Sequence, residues 1–361
     1  MKILYAIQGT GNGHISRARD IIPHLQQKGE VDILISGTQS DVDLNIPVTY
    51  RFKGLSFIFG KKGGIDLLAT YKKSSLFQLF KEIKSLPIHQ YDLVISDFEP
   101  VSSWACRLNK KQCIGLSHQA AVSNKKSPKP SKIDPVGKAV LKYYAPVDYS
   151  YGFHFEKYDD KITTPVIRSS IRNAKPKLGG HYTVYLPAYS DERIIKVLGA
   201  IKNINWHVFS KTAKSTYQKK NIKFSPVDDA SFIKSMVNSL GVLCGAGFET
   251  PAEALFLGKK LLVIPMKTQY EQQCNAAALK KMGVQSIKSL KKKHLPKIEH
   301  WVEKGISIKI QFPDNSAALV NQIIKEHNKQ SNKLSTEIFS LETVGDLKKI
   351  TLEKMLSQNS K

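Results

Sequence analysis

Two series of apolar stretches, separated by amphipathic segments, run along this chain. The first series predicts strands at 2–8, 31–36, 48–52, 91–96 and 112–117, with helices between them that include 75–83 and 101–108. The second series predicts strands at 182–186, 206–209, 222–224, 241–244 and 261–264, and helices at 192–201, 229–239, 251–257 and 270–282. Strands that alternate with helices are typical of parallel sheets covered by helices. The pattern therefore predicts an α/β fold.

Interruptions in this alternation divide the chain. Residues 161–180 contain Thr-Thr-Pro and Lys-Pro-Lys-Leu-Gly-Gly, which break the periodicity and predict a linker. We therefore expect an N-terminal domain over 1–160 and a C-terminal domain over 181–327. A basic polar tail, 328–361, is expected to be poorly ordered or loosely helical. The Lys-, Pro- and Ser-rich stretch 123–135 is expected to form a mobile loop near a cleft.

The length of 361 residues allows two domains whose cores need neither disulfides nor metals. The four cysteines, Cys106, Cys113, Cys244 and Cys274, have no paired spacing, so the sequence predicts no zinc site and no disulfide framework. It also has no signal-peptide pattern and no apolar run of about 18 residues. We expect a cytoplasmic protein, either soluble or peripheral on the inner face of the membrane.

The charge of the chain needs an explanation, because the net value is +25. A solvated, soluble surface is one interpretation. An anionic membrane surface and nucleic acid are the others. No nucleic-acid-binding motif or aromatic platform accompanies the lysines. An anionic membrane surface is therefore the preferred binding partner for the basic surface, and nucleic acid is not expected.

Glycine-rich segments follow two of the predicted strands. One is 9–14, Gly-Thr-Gly-Asn-Gly-His, and the other is 244–253, Cys-Gly-Ala-Gly-Phe-Glu-Thr-Pro-Ala-Glu. A glycine turn lets the backbone approach a diphosphate, and the first amides of the following helix attract its charge. A dinucleotide fingerprint would need glycine where His14 stands. The segments therefore favour a nucleotide pocket of another kind.

Polar residues also follow the strands of the first half, where ligands bind in open parallel sheets. These residues are His14, Asp97, Glu99 and His118. A helix N-terminus disfavours imidazolium, so we expect His14 to be neutral and able to accept a proton. The alternatives are a structural histidine in a glycine turn and, for Asp97, a cap on the helix that starts near Pro100.

Local capping is the alternative for two acidic residues of the second half. Thr250-Pro-Ala-Glu253 and Thr268-Gln-Tyr-Glu271 both have capping-box spacing, in which each glutamate satisfies only its own helix. A different motif, Asp41-Val-Asp43, has the letters of an Asp-x-Asp metal site. It is short enough to occur by chance and lies in a polar connection of the first half. We therefore expect no metal.

The order of these segments resembles that of GT-B glycosyltransferases, particularly those related to the bacterial N-acetylglucosaminyltransferase that completes lipid II and to diacylglycerol galactosyltransferases. The segment from 244, the strand ending in proline at 265, and Glu-Gln-Gln-Cys-Asn-Ala at 271–276 resemble their donor-binding region. Gly-Asn-Gly-His-Ile-Ser-Arg at 11–17 resembles their first loop. The resemblance extends over residues 1–325.

This resemblance implies an α/β architecture of two Rossmann-like domains that face each other across a cleft, with no cofactor. It implies an inverting, metal-independent transfer of a sugar from a nucleotide-sugar donor, a UDP-sugar first of all, to an acceptor hydroxyl. A lipid or lipid-linked acceptor would agree with the basic charge. Two other functions stay open. A nucleotide-sugar 2-epimerase shares the architecture and also needs a base, and a basic nucleic-acid-binding module would explain the charge without catalysis.

The resemblance also implies roles for single residues. His14 would be the base, oriented by Asp97, and Arg17 would hold an acceptor or phosphate unless it is an exposed surface arginine. Glu253 would bind ribose, and Glu271 with Gln272 would bind the transferred sugar. Ser190 lies in Pro-Ala-Tyr-Ser, which replaces the glycine-rich phosphate loop of the family. The full expected set is Gly245, Gly247, Glu253, Glu271, Gln272 and Ser190 for the donor, and Gly11, Gly13, Arg17, Glu99 and His118 for the acceptor.

Overall fold

Two seven-stranded sheets, one after the other along the chain, form the framework of the protein. The computed structural model describes residues 1–37, 43–55, 76–132, 134–267 and 269–330. Both sheets belong to one unit, from Met1 to Asn315, and a second unit begins at Ser316, of which 316–330 are helical. Asp41, Thr268 and the tail from 331 onward lie outside the described residues.

The first sheet is parallel throughout and has the strand order β3-β2-β1-β4-β5-β6-β7. Its strands are β1 (Lys2–Gln8), β2 (Glu30–Ser36), β3 (Tyr50–Phe52), β4 (Leu93–Asp97), β5 (Ile114–Ser117), β6 (Tyr149–Phe153) and β7 (Ile162–Thr163). Its helices are α1 (Asn12–Gln26), α2 (Leu76–Ser85), α3 (Pro100–Leu108), α4 (His118–Ser123) and α5 (Pro135–Tyr143), with a 3-10 turn at Ile88–Gln90. Helix α1 buries Ile15, Ala18, Ile22 and Leu25, whose 3, 4 and 3 spacing puts them on one face.

The second sheet has the order β10-β11-β9-β8-β12-β13-β14, in which only the β10–β11 pair is antiparallel. Its strands are β8 (His181–Tyr185), β9 (Asn205–Ser210), β10 (Tyr217–Lys219), β11 (Ile222–Pro226), β12 (Gly241–Gly245), β13 (Lys260–Ile264) and β14 (Gln285–Ser286). The helices are α6 (Ser169–Arg172), α7 (Asp191–Leu198), α8 (Asp229–Val237), α9 (Glu249–Phe256), α10 (Tyr270–Lys281) and α11 (Leu295–Lys304), with a 3-10 turn at Lys292–His294. Trp206, Trp301 and Tyr182 pack in its core.

All ten predicted strands are present, with bounds within two residues of those expected. The hydrophobic pattern did not predict β6, β7 or α5, nor the short strands β10 and β14. The first sheet ends at Thr163 and the second begins at His181, so β7 and α6 lie inside the segment expected as a linker. None of the helices within the described ranges is long and apolar enough to cross a membrane.

Each sheet has a topological switch point, where the strand order turns from one edge of the sheet toward the other. Strand β1 lies between β2 and β4, and β8 lies between β9 and β12. Connections leave such neighbouring strands on opposite faces, which opens a crevice at the carboxyl ends of the strands. The turns after β1, β4 and β12 therefore stand at the positions where parallel sheets bind ligands.

Candidate active site

The turn after β1 brings the backbone close to its neighbours. Gly9 N donates to Ser36 O at 2.7 Å, and a Cβ on Gly9 would lie 2.9 Å from the side chain of Ile35. Gly11 is the N-cap of α1, has extended backbone angles and supplies no side-chain cap. A Cβ on Gly13 would overlap the carboxylate of Glu249, a residue of α9. The N-terminus of α1 thus lies directly against the second half of the chain.

His14 and Asp97 form a hydrogen-bonded pair at this turn. His14 Nδ1 lies 2.9 Å from Asp97 Oδ1, and Arg17 Nη2 donates to Asp97 Oδ1 at 2.8 Å and to Oδ2 at 2.7 Å. Asp97 is fully buried. Because a carboxylate only accepts, Nδ1 carries a proton, and in the neutral form of the ring the lone pair is on Nε2. Asp97 does not cap the next helix, so that alternative is wrong.

The charges around this pair set the two pKa values in opposite directions. Burial lowers the pKa of His14, but the charge and hydrogen bond of Asp97 outweigh it, and the pKa lies above its usual 6.5. Burial raises the pKa of Asp97, and Arg17 and His14 more than reverse this, so the carboxyl is ionised. The expectation of a neutral His14 rested only on the helix N-terminus. The carboxylate of Asp97, 2.9 Å away, outweighs the partial charge of the helix N-terminus and favours imidazolium, so the expected direction of the His14 pKa shift was wrong.

Arg17 is part of the interior. Its side chain is only 1% exposed, and its guanidinium carbon lies 5.0 Å from the centre of the Phe153 ring. One end of the guanidinium donates to Asp97, and the other, through Nη1, donates to Glu249 Oε1. The alternative of an exposed surface arginine is therefore wrong.

Glu99 has a structural partner for each carboxylate oxygen. It is the N-cap of α3, accepting from Val101 N at 2.7 Å and from Ser102 N at 2.6 Å, and Ser36 Oγ donates to it at 2.5 Å. The side chain is fully buried. This geometry stabilises the start of α3 and leaves no surface for an acceptor, so we no longer assign Glu99 to acceptor binding.

His118 connects the two halves of the fold. Its Nδ1 lies 2.8 Å from Phe153 O, and its Nε2 lies 2.8 Å from Asn275 Oδ1 on α10. The ring stacks on Phe248, with centroids 3.9 Å apart. Burial lowers the pKa of His118. With both ring nitrogens engaged, His118 fits a role in the packing of the two halves better than one in acceptor binding.

Gln119 lies beside His14, a contact that the sequence did not reveal. Its Nε2 donates to Glu271 Oε2 at 2.9 Å and lies 3.4 Å from His14 Nε2. Gln119 Oε1 is buried and has no hydrogen-bond partner among the described residues. A residue of α4 thus links the histidine to an acidic residue at the start of α10.

The turn between β12 and α9 is open. Gly245 ends β12, and a Cβ there would lie 3.6 Å from Gln272 Oε1, an ordinary contact. A Cβ on Gly247 would meet nothing within 4 Å. The N-cap of α9 is Phe248, which supplies no side-chain cap. The first amides of α9 therefore have no side-chain partner from the N-cap, as at the start of α1.

Glu253 binds an arginine from the segment that precedes α6. Arg168 Nε donates to Glu253 Oε1 at 2.5 Å, and Arg168 Nη2 donates to Oε2 at 2.6 Å. The remaining guanidinium nitrogen, Arg168 Nη1, donates to Asp229 Oδ1. Burial raises the pKa of Glu253, and the charge of Arg168 opposes that shift. Because α9 begins at Glu249, Glu253 lies in its second turn, and the capping-box alternative is wrong.

The start of α10 holds the other expected sugar contacts. Gln269 is the N-cap and gives no side-chain cap, and the carboxylate of Glu271 accepts from Gln119. The second capping box cannot be compared in full, because Thr268 lies outside the described residues. Gln272 Oε1 accepts from Met266 N at 3.0 Å and is mostly buried. Gln272 thus fixes the connection between β13 and α10.

Ser190 lies apart from these contacts, at the start of α7. Its hydroxyl caps that helix by accepting from Arg193 N at 3.4 Å. The next residue, Asp191, accepts hydrogen bonds from Ser210, Thr212 and Tyr217. A carboxylate at this helix N-terminus repels phosphate, so the start of α7 is a poor diphosphate site. The structure gives no support for Ser190 as a donor contact.

A cavity of about 760 Å³ opens at the carboxyl ends of β1, β2 and β3. Gly9, Phe52, Lys81 and Glu82 are among the residues that line it. Glu82 accepts from the backbone of Lys53 and Gly54. The cavity belongs to the first half and adjoins the turn that carries His14.

Comparison with known proteins agrees with this architecture. The family profile described as glycosyl transferase family 1 matches residues 1–304. No curated protein sequence matches the chain. Among solved structures, the glycotransferase of kitacinnamycin has a TM-score of 0.55 at 11% identity and covers 91% of this chain and 95% of its own.

Two further solved structures have the same fold. Arabidopsis thaliana UGT89C1 complexed with UDP has a TM-score of 0.54 at 11% identity, covering 90% of this chain and 94% of its own. A UDP-N-acetylglucosamine 2-epimerase has a TM-score of 0.51 at 11% identity, and the match covers 92% of this chain and 97% of the epimerase chain. The predicted α/β architecture of two Rossmann-like domains that face each other across a cleft is confirmed. The predicted relationship to GT-B glycosyltransferases is confirmed as well.

Proposed function

Since the chain belongs to glycosyl transferase family 1 and is a glycosyltransferase of GT-B fold, we propose that it moves a sugar from a UDP-sugar to an acceptor hydroxyl, with inversion and without a metal. The single observation that carries this proposal is the His14–Asp97 pair, 2.9 Å apart, at a turn that faces the open start of α9. A base and an anion site thus meet across one cleft.

The donor is assigned to the second half. The turn at Gly245 and Gly247 leaves room for a diphosphate, and the amides at the start of α9 lack a side-chain cap. The first turn of α9 carries the carboxylate of Glu249, whose charge is partly balanced by its ion pair with Arg17. Such amides and the helix dipole stabilise the charge that develops on a leaving diphosphate. The plant structure of the same fold holds UDP, which supports a uridine nucleotide here.

Glu253 and Glu271 are the proposed hydroxyl contacts. Arg168 engages both oxygens of Glu253, whose side chain is only 2% exposed, so ribose hydroxyls bind to Glu253 by replacing part of its contact with Arg168. Glu271 exchanges its bond with Gln119 for a sugar hydroxyl. Gln272 supports this site through its bond to Met266 N.

His14 is the proposed base. Nδ1–H donates to Asp97, and Nε2 takes the proton from the acceptor hydroxyl as the oxygen attacks the anomeric carbon. The C–O bond to the nucleoside diphosphate breaks in the same step, and the diphosphate leaves with the electron pair. Asp97 stabilises the imidazolium that forms, because it stays ionised beside it.

The acceptor is assigned to the first half, where Gly9 and Ile15, which flank the turn that contains Gly11 and Gly13, line the cavity of about 760 Å³. Arg17 supports the base through Asp97, and we no longer assign it to direct contact with the acceptor. The cavity is large enough for a drug-sized group, for which pockets of about 300–1,000 Å³ are usual.

A lipid or lipid-linked acceptor at an anionic membrane surface is the preferred acceptor. Helix α2 lines the cavity with Gln78 and Lys81. On its exposed side, Phe77 is 81% exposed, and Leu76 and Phe80 are also exposed. Apolar side chains beside lysines on one helix suit an anionic interface. The net charge of +25 adds to this attraction.

The membrane proposal is tested by co-sedimentation with vesicles of neutral and anionic lipid. F77S should weaken binding to anionic vesicles, and high salt should abolish it, because the attraction decays over about 8 Å at physiological ionic strength. I306S is the matched control, since Ile306 is also 81% exposed. Equal, poor binding to both vesicles at low salt would mean that the charge only keeps the protein in solution.

The transfer itself is tested by a thermal-shift screen of uridine and thymidine nucleotide sugars. A true donor at 100 times its Kd should raise the free energy of unfolding by about 2.7 kcal/mol. The donor found is then incubated with hydroxyl acceptors, and the product is analysed by mass spectrometry. Epimerised nucleotide sugar without any acceptor would favour a 2-epimerase. Salt-sensitive binding of DNA or RNA without nucleotide-sugar binding would favour a nucleic-acid protein.

A further inference from the structure

Glu249 joins the two halves of the fold at the base. It is the first residue of α9, and its carboxylate lies against Gly13 in the first turn of α1. There it accepts from Arg17 Nη1, while Arg17 Nη2 donates to both oxygens of Asp97. A chain of four side chains therefore runs from α9 to the histidine: Glu249, Arg17, Asp97 and His14.

We propose that Glu249 is a positioning residue for the base: it holds the guanidinium of Arg17 from the donor half, and through Arg17 it keeps Asp97 against His14. The proposal rests on the proposed function. Glu249 need not touch either substrate for this role. Since its side chain is 23% exposed and that of Arg17 only 1%, the pair closes the outer side of a buried charge cluster.

The charges of the cluster show why Arg17 needs a second carboxylate. Without Glu249, the charge of Arg17 would balance that of Asp97, and His14 would face a neutral pair. With Glu249, the three groups carry a net negative charge, which favours protonation of His14. Both Asp97 and Glu249 raise the pKa of His14, and Arg17 lowers it.

The other groups that face the cluster contribute little charge. The phenol of Tyr5 lies beside Asp97 and Arg17, and burial raises its pKa well above the usual value, so it is neutral. Glu271 reaches His14 only through the neutral amide of Gln119. The charge at His14 is therefore set by Asp97, Arg17 and Glu249.

This arrangement makes the base depend on the donor half. Glu249 is carried by α9, whose first turn is the proposed diphosphate site. When α9 lies against α1, the cluster is complete; when the halves separate, Arg17 loses one carboxylate and Asp97 loses its support. The base is thus fully positioned in the closed arrangement, where donor and acceptor also meet.

The first test is the pKa of His14 in E249Q. Labelled histidine Cε1 is followed by NMR as the pH is changed, and the signal of His14 is assigned by its loss in H14A. The amide that E249Q introduces is not charged but still accepts from Arg17, so the His14 pKa should fall relative to the wild type. E303Q, which removes an exposed charge on α11, is the matched control. An unchanged His14 pKa in folded E249Q would overturn the proposal.

Turnover gives a second readout. In E249Q, kcat should fall, by up to about 100-fold if His14 shifts by about 1 Å, and the acidic limb of the kcat profile should move to lower pH. The KM of the donor should not rise, because removing a negative charge from the first turn of α9 does not weaken the binding of a diphosphate there. Wild-type kcat and pH profile in E249Q would overturn the positioning role alone. If the pKa shifts but no nucleotide sugar is turned over, the proposed function fails and the coupling stands.

A double-mutant cycle separates this role from general damage. G13A places a methyl group where the carboxylate of Glu249 lies, so it should lower kcat by displacing Glu249. In an E249A background that carboxylate is absent, so G13A should lower kcat by a smaller factor than it does in the wild type. Additive losses in the double variant would mean that the two positions act independently, which would contradict the proposal.

Discussion

Replacing Asp97 by asparagine removes the charge at the centre of the buried cluster. Asp97 accepts from Arg17 at 2.7 and 2.8 Å and from His14 at 2.9 Å. Removing one partner of a buried ion pair costs about 3–5 kcal/mol. Arg17 keeps Glu249 as a partner, so we expect a loss near the lower end of that range. With the usual stability of about 5–15 kcal/mol, D97N should remain folded.

The same substitution should impair turnover more than stability. An asparagine that turns its oxygen to His14 presents its NH₂ group to Arg17, a donor facing a donor. If it turns its NH₂ group to His14, Nδ1 must accept and Nε2 carries the proton, which is the wrong tautomer for a base. In either orientation the loss of charge lowers the His14 pKa. Turnover should fall about 10²–10⁴-fold.

The assay compares urea unfolding, donor binding by calorimetry and initial rate in D97N and wild type. Donor affinity should stay near the wild-type value, because the donor is assigned to the other half. D92N is the control: Asp92 is exposed and precedes the same strand, where it accepts from Lys2 N. Wild-type turnover in folded D97N would refute the assignment of Asp97 as the residue that orients the base.

Two further substitutions test the second half. E253Q should weaken UDP binding by about 1.5–3 kcal/mol, the usual contribution of a hydrogen bond to a charged group. It should also lower the free energy of unfolding, because Arg168 loses a charged partner. Lower stability with unchanged UDP affinity in calorimetry would mean that Glu253 only binds Arg168. His207 has its pKa lowered to about 4 by burial and by Lys223 and His181, so the unfolded chain, with a usual value near 6.5, takes up the proton first as the pH falls. The free energy of unfolding should therefore decrease as the pH falls from about 6.5 to about 4. In H207Q this decrease should be smaller, as measured by urea midpoints on either side of the usual histidine pKa. A pH dependence of stability equal to that of the wild type would contradict this.

The hydrophobic pattern predicted the sheets because buried parallel strands are apolar along their whole length. Strand β1, buried from Ile3 onward, shows this clearly. Strand β6, Tyr-Ser-Tyr-Gly-Phe, was missed because its first residues are polar or half-exposed. Helix α5 was missed although its sequence is amphipathic, and none of its residues is buried in the fold.

The candidate site was predictable only where its residues follow strands. Asp97 ends β4, and His14 lies in the first turn of the helix that follows the adjacent strand β1, so the topology brings them together. The roles of Glu249, Arg168 and Gln119 depend on contacts between residues far apart in sequence, and no local pattern encodes them. One signal was available: Pro100 is the first residue of α3, which places the cap on Glu99 and leaves Asp97 free for His14.

The most direct test of the account is turnover by H14A. With the donor identified by the screen, nucleoside diphosphate release is measured under saturating donor and acceptor, and donor binding is measured separately by calorimetry. The account predicts donor affinity close to that of the wild type and a rate lower by about 10²–10⁴-fold. A wild-type rate in H14A would contradict the assignment of His14 as the base, and a loss of donor binding would instead place His14 against the diphosphate.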